Sequence, residues 1–163
     1  MELFEKTLKS EIKCEGTVVN MRIDTVELSN GKIATRDVIE HPGGVGIAAI
    51  TENNELLMVR QFRAGPKKVL LEIPAGKINP NESVEETAIR ELEEETGLKA
   101  TKVEKLFEVY PSPGYTNEII KIYRAVEFEK GQVHLDEDEF LSAVWVEKDK
   151  LSQMIKEGQI KDA

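Results

Sequence analysis

The segment from Gly76 to Leu98 constrains this chain most, because it combines helix-boundary signals with a high density of one charge. Seven of its twenty-three residues are glutamates. Ser83, followed three residues later by Glu86, forms the capping-box pattern that begins a helix. Gly97 suits the left-handed position that ends one. These signals predict a helix from about Val84 to Thr96.

The apolar side chains of this helix gather on one stripe when successive residues are placed about 100° apart. That stripe, which we expect to be buried, consists of Val84, Ala88, Ile89 and Leu92. Glu91 and Glu95 fall at its edge.

The acids of this helix repel one another. Glu91 and Glu95 are an i,i+4 pair and Glu91 and Glu94 an i,i+3 pair, and each like-charge contact destabilises a helix by roughly 0.2–0.5 kcal/mol. They also lie near the C-terminus, where the helix dipole disfavours anions. Arg90 can pair with Glu94 and Glu86 but lies on another side from Glu95. A hard divalent cation would neutralise the acids; the alternative is an ordinary solvated face.

The overall charge restricts the partners. Lys and Arg number 22 against 31 Asp and Glu, a net charge of −9, which disfavours nucleic acid and anionic membranes as partners. A small anionic substrate would need cations or local arginines. The single cysteine, Cys14, excludes an intrachain disulfide and a cysteine metal cluster. The chain shows neither a signal-peptide core nor a long apolar run, so we expect a cytoplasmic protein.

Strand-like runs flank the predicted helix. Asn30-Gly31 between runs rich in Val, Ile and Thr is a strong hairpin signal, and residues 52–54 mark a second turn. Further strand-like runs cover residues 69–76, 103–110, 118–128 and 140–147, and a short helix is predicted over 148–158. The pattern indicates an α+β protein, with an N-terminal β subdomain at 1–41 and a second domain at 42–163.

The glutamate-rich segment resembles the Nudix box. Gly76, Glu82 and the run Arg90–Leu98 match G-x5-E-x7-R-E-U-x-E-E-x-G-U, with U apolar, at every fixed position. The resemblance implies the Nudix fold, in which a mixed β-sheet is sandwiched between helices. It also implies a metal-dependent hydrolase of nucleoside diphosphates linked to another group.

Three features outside the box resemble the ADP-ribose pyrophosphatase branch of that family. Leu71–Gly76 leads into the box, Pro113 follows Gly97 by sixteen residues, and Leu135–Phe140 is similar to an acidic catalytic loop. The N-terminal strands resemble the subdomain through which this branch dimerises, so the resemblance implies a homodimer. Relatives usually continue into a long final helix, so we expect the C-terminal packing here to differ from theirs.

The resemblance also implies a metal site and a catalytic base. The metal ligands it implies are the Ala75 carbonyl and the carboxylates of Glu91, Glu94, Glu95 and Glu139. Mg²⁺ is the expected cofactor, with Mn²⁺ as the alternative. The expected base is Glu137, with Glu95 as the alternative base. The alternative for residues 136–139 is a solvated turn without a catalytic role.

Further residues are expected to bind substrate or to support the box. The expected substrate contacts are Arg36, Arg60, Arg63, Glu72, Pro113 and Gly114. Arg63 is similar to the arginine that contacts phosphate in this family, although Arg60 and Arg63 can also be read as surface arginines. The expected structural residues are Gly76 at a turn, Glu82 paired with an arginine, Arg90 orienting carboxylates, and Gly97 at the helix end.

The resemblance implies one reaction above others, the hydrolysis of ADP-ribose to AMP and ribose 5-phosphate. The alternative within the same class is another nucleoside diphosphate derivative, such as NADH or a sugar nucleotide. The alternative from a different class is a Nudix module that binds ADP-ribose without cleaving it.

Overall fold

The chain divides into two compact units in a computed structural model that describes residues 3–137 and 139–162. The first unit combines Met1–Gly43 with Tyr110–Ile119, and the second combines Gly44–Val109 with Ile120–Ala163. Asp138, which belongs to the predicted acidic loop, lies outside the described residues.

Three antiparallel strands form the first unit, in the order β1 (Glu5–Glu15), β2 (Asn20–Leu28) and β3 (Ile33–Glu40). The predicted Asn-Gly turn joins β2 to β3, with Gly31 at a φ of +79°. The segment Tyr110–Ile119 belongs to this unit because its backbone bonds to β3. The Ile39 N–H donates to the Tyr115 carbonyl at 2.7 Å, and the Asn117 N–H donates to the Ile39 carbonyl at 3.2 Å.

Strand β1 has no counterpart in the sequence-based prediction. Its sequence, EKTLKSEIKCE, is largely charged, and all but one of its residues are exposed. Lysines and bulges are typical of edge strands, which must avoid unwanted pairing, and β1 has register shifts at two points. Leu8, Ile12 and Cys14 alternate with charged residues, which is a period-two strand pattern. These apolar side chains are nevertheless exposed, so the pattern does not mark a buried face.

The second unit is a mixed α+β structure. Its elements in chain order are β4 (Gly44–Ala49), β5 (Glu55–Arg63), β6 (Lys68–Glu72), β7 (Ala75–Lys77), α1 (Val84–Thr96), β8 (Leu98–Val109), β9 (Ile120–Lys130), β10 (Leu141–Glu147) and α2 (Lys148–Lys156). The strands form two sheets, β10-β5-β6 and β7-β4-β9-β8. Strands β4 and β9 are parallel and the other pairs are antiparallel. The α+β class, the mixed pairing and the short closing helix are confirmed.

Two apolar clusters hold this unit together. The larger one joins α1 to the four-stranded sheet and contains Val45, Ile47, Ala49, Leu57, Ala88, Leu92, Ala100, Tyr123 and Ala125. The smaller one is formed by Met58, Leu71 and Val146, against which Leu151 and Met154 of α2 pack. Burial of Ala88 and Leu92 therefore fixes the face that α1 turns toward the four-stranded sheet.

Two strand boundaries differ from the prediction. The run at 69–76 is divided into β6 and β7, because Pro74 has no N–H to continue a ladder and its carbonyl instead accepts from the Ile47 N–H at 2.8 Å. Strand β8 begins at Leu98, directly after the helix, and not near Val103. Register shifts between Ala100 and Val103 interrupt the alternation that would have revealed this start.

No helix within the described residues is long and apolar enough to cross a membrane.

Candidate active site

Helix α1 has the boundaries that the sequence predicts. The Glu86 N–H donates to the Ser83 hydroxyl at 3.2 Å, and the Glu86 carboxylate accepts from the Ser83 N–H at 2.8 Å. At the other end, Gly97 adopts a φ of +69° and its N–H donates to the Glu93 carbonyl. Glu86 is therefore engaged at the helix N-terminus and not with Arg90, the pairing that the spacing predicted.

Glu95 is a deeply buried acid of α1, with 3% of its surface exposed. The Ala75 N–H donates to its Oε2 at 3.2 Å. Thr87 is also fully buried, so the buried face is wider than the apolar stripe, and Glu95 lies within that face and not at the predicted edge. Burial, and then the charges of Glu139 and Glu91, raise the pKa of Glu95 to about 8.

Glu91 lies against the backbone of β7. A Cβ placed on Gly76 would stand 1.9 Å from the Glu91 Cδ, a distance that no real side chain adopts. The Glu91 side chain is only 14% exposed, and Arg90 Nη1 lies 2.9 Å from its Oε1. Burial raises the pKa of Glu91 and the nearby charges of Glu94 and Glu139 add to this effect, while Arg90 opposes it.

Arg90 holds several of the acids in place. Its Nε and Nη2 donate to the two carboxylate oxygens of Glu82 at 2.8 and 3.0 Å, and its Nη1 donates to Glu94 at 2.7 Å. The Thr87 hydroxyl donates to Glu82 at 3.0 Å. The pKa of Glu82 is lowered, chiefly by Arg90. Glu82 and Arg90 therefore form the kind of contact expected of residues that orient the carboxylates.

A second ion pair joins two neighbouring strands. Glu72, on β6, is 3% exposed and accepts from Arg63 of β5 through Nε at 3.0 Å and Nη2 at 2.6 Å. The Glu72 carboxylate raises the pKa of Arg63, to which the charge of Glu95 also contributes. Arg63 thus lies within electrostatic reach of Glu95 on α1. Glu72 therefore contacts Arg63, and its expected contact with substrate remains a prediction.

The acidic loop contributes Glu139 to this group of charges. Gln61 Nε2 donates to Glu139 Oε1 at 3.0 Å, and the Glu139 charge raises the pKa of both Glu95 and Glu91. Glu137 lies in an exposed turn of the same loop. The structure therefore brings Glu139 to the acids of α1, whereas the role of Glu137 remains a prediction.

Four further predicted substrate contacts are Arg60, on β5, and three residues of the first unit. Arg60 is exposed and, because side chains alternate along a strand, it lies on the opposite face of β5 from Gln61 and Arg63. Arg36 belongs to the first unit, where its Nε donates to Glu5 at 3.0 Å. Pro113 and Gly114 are exposed residues of the first unit. The contact of Arg36, Pro113 and Gly114 with substrate remains a prediction, whereas the exposed position of Arg60 favours its alternative reading as a surface arginine.

The donor chemistry suits a hard divalent cation. Carboxylates of Glu91, Glu94, Glu95 and Glu139 supply the oxygen ligands that Mg²⁺ and Mn²⁺ accept, and Gly76 leaves the space into which Glu91 fits. Within the described part of the chain, no three acidic, histidine or cysteine side chains form a ready coordination sphere. Arg90 and the Ala75 N–H engage three of these carboxylates, so cation binding would require them to turn.

Sequence reasoning missed Gln61 and Thr87, both of which contact predicted site residues. Thr87 occurs one turn before Glu91 and reads as an ordinary helix residue. Gln61 lies between Arg60 and Arg63 in a strand, where alternation places it on the Arg63 face. That alternation was the one available signal, since a contact 78 residues away is invisible in a local pattern.

Comparison with known proteins points to one family. The sequence profile of the NUDIX domain matches residues 40–163. The chain is 43% identical over 161 residues to a protein of Bacillus methanolicus named "Methanol dehydrogenase activator", covering 98% of this chain and 87% of that one. It is 39% identical over 163 residues to the "ADP-ribose pyrophosphatase" of Bacillus subtilis (strain 168), covering 99% and 88%.

The fold has a close match among solved structures. A crystal structure titled "Crystal structure of ADP compounds hydrolase" superposes with a TM-score of 0.82 at 25% sequence identity. The match covers 96% of this chain and 85% of that chain.

Proposed function

The chain belongs to the Nudix family of hydrolases, and we propose that it hydrolyses ADP-ribose to AMP and ribose 5-phosphate with Mg²⁺. Mn²⁺ is the alternative cation. The Bacillus subtilis relative is named for this activity, and the likeness to it extends over 99% of the chain, which supports this substrate.

One observation carries the proposal. Glu91 and Glu95 are two largely buried carboxylates that pack on the backbone of Ala75 and Gly76, and burial raises the pKa of each. Burying like charges together is unfavourable unless they are neutralised. A site for a divalent cation explains why both acids occupy the buried face of α1.

The proposed reaction adds water to one phosphorus of the pyrophosphate and breaks its bond to the bridging oxygen. A bound divalent cation would polarise the phosphoryl oxygens and favour ionisation of water. Glu91, Glu94, Glu95, Glu139 and the Ala75 carbonyl would hold that cation. Arg63, oriented by Glu72, would donate to the pyrophosphate oxygens. Glu137 would accept the proton of the attacking water, with Glu95 as the alternative base.

The test is to incubate the purified chain with ADP-ribose and Mg²⁺ and to measure AMP and ribose 5-phosphate. A Glu95→Gln variant serves as the control. NADH and a sugar nucleotide in parallel reactions decide between substrates of the same class. Stabilisation by ADP-ribose without any AMP would instead indicate a module that binds ADP-ribose and does not cleave it.

A second candidate function comes from the 43% identical relative, whose name is "Methanol dehydrogenase activator". The chain would then raise the rate of a methanol dehydrogenase. Assaying that enzyme with and without the chain tests this, and comparison with the Glu95→Gln variant shows whether the effect depends on the acid cluster.

We also propose that the protein is a cytoplasmic homodimer, with residues 1–41 as the dimerising subdomain and 42–163 as the hydrolase domain. Leu8 and Ile12 of β1 and Ile33 of β3 are apolar and exposed, which favours a further interface on the first unit. Light scattering after size-exclusion chromatography would show twice the chain mass. A monomer at all concentrations would contradict the dimer.

A further inference from the structure

Gln61 occupies a position in the site for which no role has been assigned. It lies on β5, where it pairs with Leu70 of β6 and Leu141 of β10. Its Nε2 donates to Glu139 Oε1 at 3.0 Å. This bond ties the acidic loop to the middle strand of its sheet.

The chemistry of the two groups fixes the orientation of the amide. An ionised carboxylate only accepts hydrogen bonds, so the nitrogen of Gln61 must face Glu139 and the oxygen must face away. That oxygen is buried, and within the described residues no donor reaches it. A buried acceptor without a partner costs about 1–3 kcal/mol, which an apolar side chain of similar length would avoid.

The loop is organised around the bonded residue. The Glu139 N–H donates to the Asp136 carbonyl at 3.0 Å, which closes the turn that contains Glu137. Holding the Glu139 side chain therefore also restrains the position of Glu137. The Glu139 carboxylate lies near enough to Glu91 and Glu95 for its charge to act on both.

We propose that Gln61 is a positioning residue, which holds Glu139 and the turn of Glu137 at the acid cluster through its amide N–H. The expected effect of Gln61 on kcat rests on the proposed hydrolysis of ADP-ribose, whereas its restraint of the loop does not. The bond joins two side chains of the protein and involves no substrate atom. An apolar residue could not donate to Glu139. The buried, unbonded Oε1 of Gln61 is the unfavourable consequence of having an amide at this position.

The decisive variant is Gln61→Met, which keeps the length of the side chain and removes both polar atoms. We expect its thermal stability to equal or exceed that of the wild type, because the buried acceptor is gone. Its kcat should fall by about 10- to 100-fold, since small displacements of catalytic groups have effects of this size. A Phe62→Met variant is the matched control, because Phe62 is the next residue and is 59% exposed.

A double-mutant cycle shows whether Gln61 acts through Glu139. Adding Gln61→Met to a Glu139→Ala variant should lower kcat by less than about twofold further, because the acceptor is already absent. An equal loss in both backgrounds would overturn the proposal. So would a Gln61→Met variant that loses stability while its folded fraction keeps wild-type kcat, since that result assigns Gln61 to the fold.

Hydrogen exchange provides a readout that does not depend on activity. In cation-free protein, amides of residues 135–140 should exchange faster in Gln61→Met than in the wild type and in Phe62→Met. Equal amide exchange rates in Gln61→Met and the wild type would overturn the proposal that Gln61 restrains the loop. If the wild type fails to hydrolyse ADP-ribose, the proposed function fails, while the exchange experiment still decides whether Gln61 holds the loop.

Discussion

The backbone of Gly76 occupies the space directly beside the carboxylate of Glu91, such that a Cβ at residue 76 would lie 2.0 Å from Glu91 Oε1. Gly76 does not have a positive φ, so the backbone itself would accept another residue. The requirement for glycine therefore comes from the approach of the carboxylate and not from the turn that the sequence suggested.

A Gly76→Ala substitution tests whether glycine is required here because of the close approach of the Glu91 carboxylate. The added methyl group must displace Glu91, so we expect kcat to fall by about 100-fold with a loss of stability of about 1–3 kcal/mol from overpacking. Steady-state kinetics and chemical denaturation measure the two quantities. Gly65→Ala is the control, because a Cβ at Gly65 meets nothing within 4 Å. Wild-type activity in Gly76→Ala would show that Glu91 has no fixed role.

Glu95 should make the stability of the cation-free protein depend on pH. Its pKa is raised from 4.5 to about 8, so between these values the folded state holds a proton that the unfolded state has lost. Stability therefore falls as pH rises through this range. We expect Glu95→Gln to remove this loss, which is on the order of a few kcal/mol. Denaturation in EDTA at pH 6 and pH 9 measures it.

The Glu95→Gln variant changes the charge of the side chain but not its hydrogen bond to β7. Ala75 can still donate to the amide oxygen of Glu95→Gln, so the hydrogen bond to β7 is retained and only the charge is changed. Equal pH dependence in the wild type and the variant would mean that Glu95 titrates normally, and the account of its burial would be wrong.

Arg63 and Glu72 should respond unequally to substitution. Arg63→Met leaves a carboxylate that is 3% exposed without its guanidinium, and we expect a loss of about 1–3 kcal/mol. Glu72→Gln keeps an acceptor for Arg63 and should cost less stability, while a less firmly oriented guanidinium raises KM for ADP-ribose. Denaturation and steady-state kinetics provide these values.

Arg60→Met distinguishes the two arginines of β5. Because Arg60 is exposed on the opposite face of the strand, we expect its substitution to leave KM and kcat close to those of the wild type. A rise in KM equal to that of Arg63→Met would restore Arg60 as a substrate contact and contradict the assignment from strand alternation.

The two acids of the loop should differ in what they change. Because Glu137 is the proposed base, the Glu137→Gln substitution should lower kcat by ~10²–10⁴. We expect this loss even with saturating Mg²⁺, and little change in KM. Glu139→Gln should mainly raise the Mg²⁺ concentration needed for half-maximal activity. Titrating Mg²⁺ for each variant separates the effects, and the reverse pattern would exchange the two roles.

Much of the fold is local and could be read from the sequence. The capping box at Ser83 and the glycine at residue 97 set the limits of α1, and Asn30-Gly31 sets one hairpin. These signals depend on neighbours in the chain. Strand β1 was missed although Leu8, Ile12 and Cys14 alternate with charged residues, because its apolar side chains are few and are exposed in the pairing with β2.

The candidate site was predictable where chemistry and spacing coincide along one helix. Glu91, Glu94 and Glu95 were found in this way, and Glu82 was expected to pair with an arginine that the sequence did not identify. The depth of Glu95 and the Gln61–Glu139 bond depend on strands that meet α1 or the acidic loop from distant parts of the chain. Such contacts are set by tertiary packing, which local patterns do not contain.

The central claim is that the α1 acids bind a divalent cation together with a nucleoside diphosphate. Isothermal titration of Mg²⁺ into the protein with a non-hydrolysable ADP-ribose analogue tests it most directly. We expect saturable binding with release of protons at pH 7, because the Glu95 pKa of about 8 requires ionisation on binding, and Glu95→Gln should lose both. The absence of saturable binding to the wild type would contradict the account.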